Sequence, residues 1–357
     1  MRAIWIVLAA RWRQQQRAWL LLALLVAVGT GLVLSAVTAG RRADAAFPGF
    51  VAAHGYDGIV YASTPLPQLA VLPDVTRVVE TRVPFYGQLT CSCGKEINQN
   101  DLGVREVIPA ALPRVVKLVG GRLPDQSDPD EVLASYTLQR DYGIGPGTLI
   151  RMPMAAASQW PQIRKAVNGE GPPPAKALGP VRTLRVTGIV VAENEFPSGQ
   201  GAAYDFYPTA AFAAATKDTP YFIFYNVRLR HGEADFGRFE ATVSGKYGAG
   251  VQDLDEAATA VNGSIHPQAV AWWVVASLTA LTVLVVVGQA LGRQGAADDT
   301  DGPVLAALGL RSGQFAALNL LRTLAIAVTG AAAGIGIATL LSAFTPVGEA
   351  RLATPTP

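Results

Sequence analysis

Residues 18–40 read AWLLLALLVAVGTGLVLSAVTAG, 23 consecutive positions without a charge. As a helix rising about 1.5 Å per residue, this run is about 34 Å long, enough to cross a hydrocarbon core of about 30 Å. Comparable runs follow at 269–291 and 324–344. The first is preceded by arginines and ends in the small residues Val37, Thr38 and Ala39, as a secretory signal would. Its apolar core, however, exceeds the length of about 7–15 residues typical of a cleaved signal, so an uncleaved anchor is expected. The chain is read as an α-helical integral membrane protein with three transmembrane helices. One large loop hangs between the first two.

Composition agrees. Of 357 residues, 50% are hydrophobic and 16% are charged, against about 25% charged in soluble domains. No Lys/Arg run interleaved with aromatics occurs, so nucleic-acid partners are set aside. The expected partners are the lipid bilayer and other proteins.

Residues 1–17 carry Arg2, Arg11, Arg13 and Arg17 and no acid, which places them in the cytoplasm of a plasma-membrane protein. Trp5, Leu8, Trp12 and Trp19 recur at helical spacing, apart from Arg2, Arg13 and Arg17, as in a helix lying at the cytoplasmic interface, with a plain extension of the first membrane helix as the alternative. The chain then divides into a transmembrane helix at 18–40, an extracytoplasmic domain at 41–268 and a second transmembrane helix at 269–291. A cytoplasmic loop at 292–314, a third helix at 315–345 and an external tail at 346–357 complete it. The loop holds Arg293 and Arg311 against Asp298, Asp299 and Asp301, so counting crossings places it rather than its charge. The third hydrophobic segment contains Gly330-Ala-Ala-Ala-Gly334, whose spacing lets helix backbones approach closely. Arg322, near the start of that segment, is expected to snorkel to the cytoplasmic interface.

The external segment alternates short β-type runs with turn signals: 57–61, 76–80, 145–150, 182–190 and 222–228. Helical patches are expected around 130–142, 208–216 and 233–246. The result is a mixed α+β domain, with an exposed loop at 168–174. Enzyme constellations are missing from the sequence. His54, His231 and His266 are isolated, and no Gly-x-Ser-x-Gly, His-Glu-x-x-His or P-loop pattern occurs, so no enzymatic activity, cofactor or metal is expected. Asp125, Asp128, Asp130 and Glu131 read as a solvated turn entering a helix. Cys91 and Cys93 read as two ordinary loop thiols or as a tight disulfide. Tyr221, Phe222 and Phe224 read as ordinary strand residues, with contact to a greasy cargo as the alternative.

Three stretches together carry a resemblance. They are Ala39-Gly-Arg-Arg-Ala-Asp-Ala-Ala-Phe-Pro-Gly-Phe50, then Gly120-Gly-Arg-Leu-Pro-Asp-Gln-Ser-Asp-Pro-Asp-Glu-Val132 continuing to Tyr142-Gly-Ile-Gly-Pro-Gly-Thr148, and Val304-Leu-Ala-Ala-Leu-Gly-Leu-Arg-Ser-Gly-Gln314. In order and spacing the chain resembles the FtsX-like (MacB-like) family of ABC-transporter permeases, especially its actinobacterial branch. The second stretch is similar to the family's "GRLP … DEV … LG … GD" signature, with Pro146-Gly147-Thr148 in place of the Gly-Asp turn.

The resemblance implies a permease subunit worked by a separate cytoplasmic ABC ATPase, which would dock on the loop between helices two and three. In this chain Val304, Leu305, Leu308, Gly309, Leu310 and Arg311 would form the coupling element, and Gly330 and Gly334 a helix-packing face. Motion would pass to the external domain, for export or extraction of a lipoprotein, lipid or peptide, or for control of a cell-wall enzyme. The family unit has four membrane helices, so this chain is expected to be truncated or split, with a second permease chain possible as the source of missing helices. The alternative is a membrane-anchored receptor or sensor. It would account for the large external domain but not for the family-like cytoplasmic segment.

Overall fold

The computed structural model describes residues 2–62, 64–95, 97, 102–196, 203–299, 312–342, 344 and 349–354. The chain divides into two compact units, one of Met1–Phe47 with Ile265–Thr354 and one of Pro48–Ser264 with Pro355–Pro357.

The first unit is helical. Helix α1 runs without interruption from Arg2 to His54. This corrects two expectations. Residues 2–17 are continuous with the following helix and not a separate element, because no Gly or Pro breaks the helix-forming run of Ala, Arg, Gln and Leu there. Nor does the helix end at Gly40, since 41–54 stay helical with Pro48 inside them. The second apolar run lies in Asp255–Asp299, which contains Pro267, so the last residues of the segment expected at 41–268 are helical too. The third lies in Ser312–Ser342. Three helical stretches, Gln16–His54, His266–Arg293 and Leu320–Ser342, are long and apolar enough to cross a membrane.

The second unit is a mixed α/β domain with two sheets. The strands of the first are β1 (Gly58–Ala62), β2 (Val75–Pro84), β5 (Glu106–Val107), β11 (Tyr221–Leu229) and β12 (Gly250–Asp253), in the antiparallel order β12-β1-β11-β2-β5. The second contains β3 (Thr90–Cys91), β4 (Leu102–Val104), β6 (Val116–Gly121), β7 (Glu131–Ser135), β8 (Leu149–Pro153), β9 (Val181–Ala192) and β10 (Tyr204–Pro208). Its order is β3-β8-β9-β7-β10-β4, with β6 also paired to β9, and the β7–β9 and β10–β4 pairs are parallel. Intervening helices are α2 (Leu112–Val115), α3 (Tyr136–Tyr142), α4 (Trp160–Val167), α5 (Ala210–Ala215) and α6 (Glu233–Tyr247). The long helices after β12 are α7 (Asp255–Asp299) and α8 (Ser312–Ser342), and a short α9 covers Glu349–Ala353.

Period-two patterning builds the first sheet. Ile223, Tyr225, Val227 and Leu229 of β11 point to one core, where Phe236, Phe239 and Val243 of α6 cover them. Helix α6 opens with Glu233 and Asp235, which favour a helix N-terminus, and stops at Gly248 in the left-handed region. Two local expectations change. The run at 130–142 begins as strand β7 and turns helical only at Tyr136, where the Ser135 hydroxyl accepts from the Leu138 amide and caps α3. The strand expected from 145 starts at Leu149, because Gly147 at φ 93° makes the preceding turn.

Candidate functional site

Of the residues singled out as a coupling element, Val304, Leu305, Leu308, Gly309, Leu310 and Arg311 lie outside the described residues. Gly330 and Gly334 are described. A Cβ on Gly330 would lie 2.7 Å from Val26 Cγ1, and one on Gly334 would lie 2.8 Å from Thr30 Cβ. Both glycines of α8 therefore sit directly on α1. Helix α1 answers with glycines of its own: a Cβ on Gly29 would meet Val283 of α7 at 2.5 Å, and one on Gly31 would meet Ile337 of α8 at 2.8 Å. Small residues on α1 thus bring both other helices close, as membrane helix packing favours. Arg322 does not extend outward. It is 7% exposed and lies 5.0 Å from the Trp19 ring centroid, beside the Trp19–Leu22–Ile326 cluster. Leu20, Leu21, Leu24, Leu278, Leu281 and Leu284 face outward and are exposed.

Within the α/β unit, the end of α1 is held by side chains of the first sheet. Last-turn carbonyls of a helix have no intrahelical partner. Here Arg77 of β2 donates to Gly55 O at 2.7 Å and Ala53 O at 3.4 Å, while Arg228 of β11 donates to Val51 O at 3.3 Å. Cations at a helix C-terminus also meet the negative end of its dipole. The Tyr56 amide donates to Glu193 Oε2 at 3.0 Å, and Arg77 lies 4.8 Å over the Tyr56 ring. Burial raises the Glu193 carboxyl to about 7, against the opposing pull of the Tyr56 amide and Arg228. Phe50 packs edge-on against Phe196 at 5.2 Å.

Two residues further on, Glu195 is 1% exposed and accepts from the amides of Ala192 (2.8 Å) and Thr137 (3.2 Å). Burial lifts it to about 8. Asp205 nearby pairs with Arg105 at 2.7 Å and accepts from Asn194 at 2.7 Å. No sequence motif flagged this buried polar set. The sole hint was a Glu-Asn-Glu triplet following the apolar run of β9.

Most other residues of interest are structural. Glu131 opens β7, not a helix, and Arg122 grips it from 60% exposure while the Asp125 amide donates to it at 2.8 Å. The Arg122 hydrogen bond holds the Glu131 carboxyl down to about 2. Asp125 accepts from Ser127 in a surface turn. Cys91 and Cys93 form a disulfide, which settles the two readings of that pair. His231 contacts Asp235 at 2.9 Å at the start of α6, and His266 lies 3.6 Å from Asp44. Tyr221 packs against the α6-side core, Phe224 is 4% exposed, and Phe222 is 38% exposed. Among the described residues no group of three or more His, Cys, Asp or Glu is placed to hold a metal.

One open pocket of about 270 Å³ lies beside α2 and β6. His54, Leu112, Pro113, Val116, Lys117, Leu118 and Leu123 line it.

No family model matches the chain, and no curated protein matches it. Among solved structures it is similar to the extracellular domain of the noncanonic ABC-type transporter YknZ from Gram-positive bacteria, with a TM-score of 0.31 and 10% identity over 55% of this chain and 98% of that one. A permease-protein domain of Porphyromonas gingivalis gives a TM-score of 0.30 and 16% identity over 56% of this chain and 84% of that one.

Proposed function

We propose that this chain is a permease subunit of an FtsX/MacB-like ABC transporter, embedded in the plasma membrane with its N-terminus in the cytoplasm. A separate ATPase supplies the energy, and the extracytoplasmic α/β domain receives it as motion. The observation that carries this reading is the way the spans meet that domain. Helix α1 ends, and helix α7 begins, as part of the α/β unit, with no flexible loop in either connection. A tethered receptor needs no such connection; a domain that must be moved does. The domain's place between the first and second apolar helices and the family-like stretches at 39–50, 120–148 and 304–314 support the same assignment. The domain would then export or extract a lipoprotein, lipid or peptide, or control a cell-wall enzyme.

Under this proposal the ATPase docks on 304–311, with Leu305, Leu308 and Leu310 as its apolar contact and Arg311 at the edge. Leu308→Asp is expected to abolish co-purification of a co-expressed cognate ABC ATPase while membrane insertion is retained. Retention of the ATPase at wild-type levels would remove the coupling role from this segment.

A further inference from the structure

We propose that Cys91 and Cys93 are a thiol–disulfide exchange site, served by an extracytoplasmic dithiol oxidoreductase, and not a structural staple. A disulfide stabilises a fold mainly by restricting the unfolded chain, and the gain grows with the length of chain it closes. This bridge closes across one residue, Ser92, so it restricts very little. Other bonds hold the segment around it. The Ser92 amide donates to Leu149 O at 2.9 Å, and the Leu149 amide donates to Ser92 Oγ at 3.1 Å. Gln88 Nε2 donates to Ile97 O at 3.2 Å, which ties together the two sides of the loop that carries both cysteines. Leu89 and Ile97, both fully buried, anchor those sides in the core of the second sheet. Opening the bridge therefore leaves β3 its register on β8.

The pair is also open to a partner. Strand β3 stands at one end of the second sheet's order, so among the described residues no strand flanks its outer edge. Ser92, Gly94 and Lys95 are exposed, and Cys91 and Cys93 are half-buried. The reduced form has a place in the same fold, because Cys91 Sγ lies 3.5 Å from Lys95 O, a carbonyl able to accept from a thiol. In the exchange, a thiolate of the partner attacks one sulfur and forms a mixed disulfide. The other sulfur leaves as a thiolate and takes up a proton. The partner's second thiolate then attacks the partner's own sulfur in the mixed disulfide, and the remaining cysteine leaves and is protonated in turn. Two electrons and two protons pass to Cys91 and Cys93, and the partner's dithiol becomes a disulfide. No part of this step involves ATPase docking, so either reading can fail without the other.

The test uses the full chain in phosphatidylcholine nanodiscs, with thioredoxin as the probe and maleimide mass-tagging to count free thiols. The native oxidised chain is expected to yield both thiols without denaturant. Thioredoxin, kept reduced by its reductase, should release them at least tenfold faster than the same concentration of dithiothreitol. A thioredoxin whose second active-site cysteine is replaced by serine should stay attached to the chain as an adduct that dithiothreitol removes. The melting temperature of the reduced chain should fall by no more than about 5 °C, and the double variant Cys91→Ser with Cys93→Ser should match it. Thiols that appear only in denaturant, reduction no faster than with dithiothreitol, absence of the trapped adduct, or a larger fall in melting temperature (failure of the double variant to fold included) would each overturn the assignment.

Discussion

At the scale of single residues, the α/β unit keeps ionisable groups inside and holds them by hydrogen bonds. Glu193 and Glu195 sit at about 7 and about 8, each raised first by burial. A carboxyl that binds its proton more tightly when folded stabilises the fold fully below its unfolded value near 4.5, and that contribution fades as pH rises through the folded value. The melting temperature of the domain in the full chain is therefore expected to fall between pH 5 and pH 9. The Glu195 part is on the order of 5 kcal/mol. Glu195→Gln should flatten the profile across that window, as read by thermal denaturation at several pH values; a wild-type profile already flat above pH 5 would contradict it. Arg77 makes a different kind of contribution. Arg77→Ala strips the carbonyls of Ala53 and Gly55, at and just past the end of α1, of their donor and should cost about 1–3 kcal/mol. Hydrogen exchange should rise at 51–57, where the backbone loses its cap, while the α6 core stays protected. Sequence could not announce these residues, because a Glu after an apolar run looks the same whether it turns outward or folds back onto an amide.

Among the elements, those with a strong period were legible. The strands around 76–80, 182–190 and 222–228 and the helices around 208–216 and 233–246 follow from apolar alternation and flanking turn residues. Short buried pieces were not. Strand β7 is buried at every position, so it shows no alternation, and its apolar run merges with α3 into what reads as one helix. Strand β6, rich in small and mixed residues, gave no signal until β9 lay beside it. Helix length in α1 was understated because arginines at 41–42 look like the end of a span. In the structure Arg42 instead donates to Ser342 O at 2.8 Å, capping α8. The helix contacts yield a sharp expectation. Gly334→Leu must displace Thr30 or the α1 backbone, since Ala27 O also lies 2.9 Å from the added Cβ. It should destabilise the helical unit by about 1–3 kcal/mol, whereas Gly336→Ala, with nothing within 4 Å, should be neutral. Thermal unfolding of the two variants in nanodiscs compares them directly, and equal melting temperatures would refute close packing at Gly334.

For the molecule as a whole, the proposal fixes an orientation that the cysteines can report. They are the chain's two cysteines, and they are bonded to each other on the domain expected outside, so reduction is needed to make them nucleophilic. After reduction of intact cells, a membrane-impermeant maleimide should label the chain; labelling confined to lysed cells would invert the topology. The three apolar segments and the α+β character of the domain were plain from hydropathy and turn spacing. The pocket was not, because its lining comes from 54 and from 112–123, which only the fold brings together. A last consequence follows from Pro48 and Pro267. A proline supplies no amide to the carbonyl one turn before it, so each linking helix has a weak point in its hydrogen-bond ladder close to where the chain passes from one unit to the other. Each of these helices should therefore bend more readily there than along its apolar run.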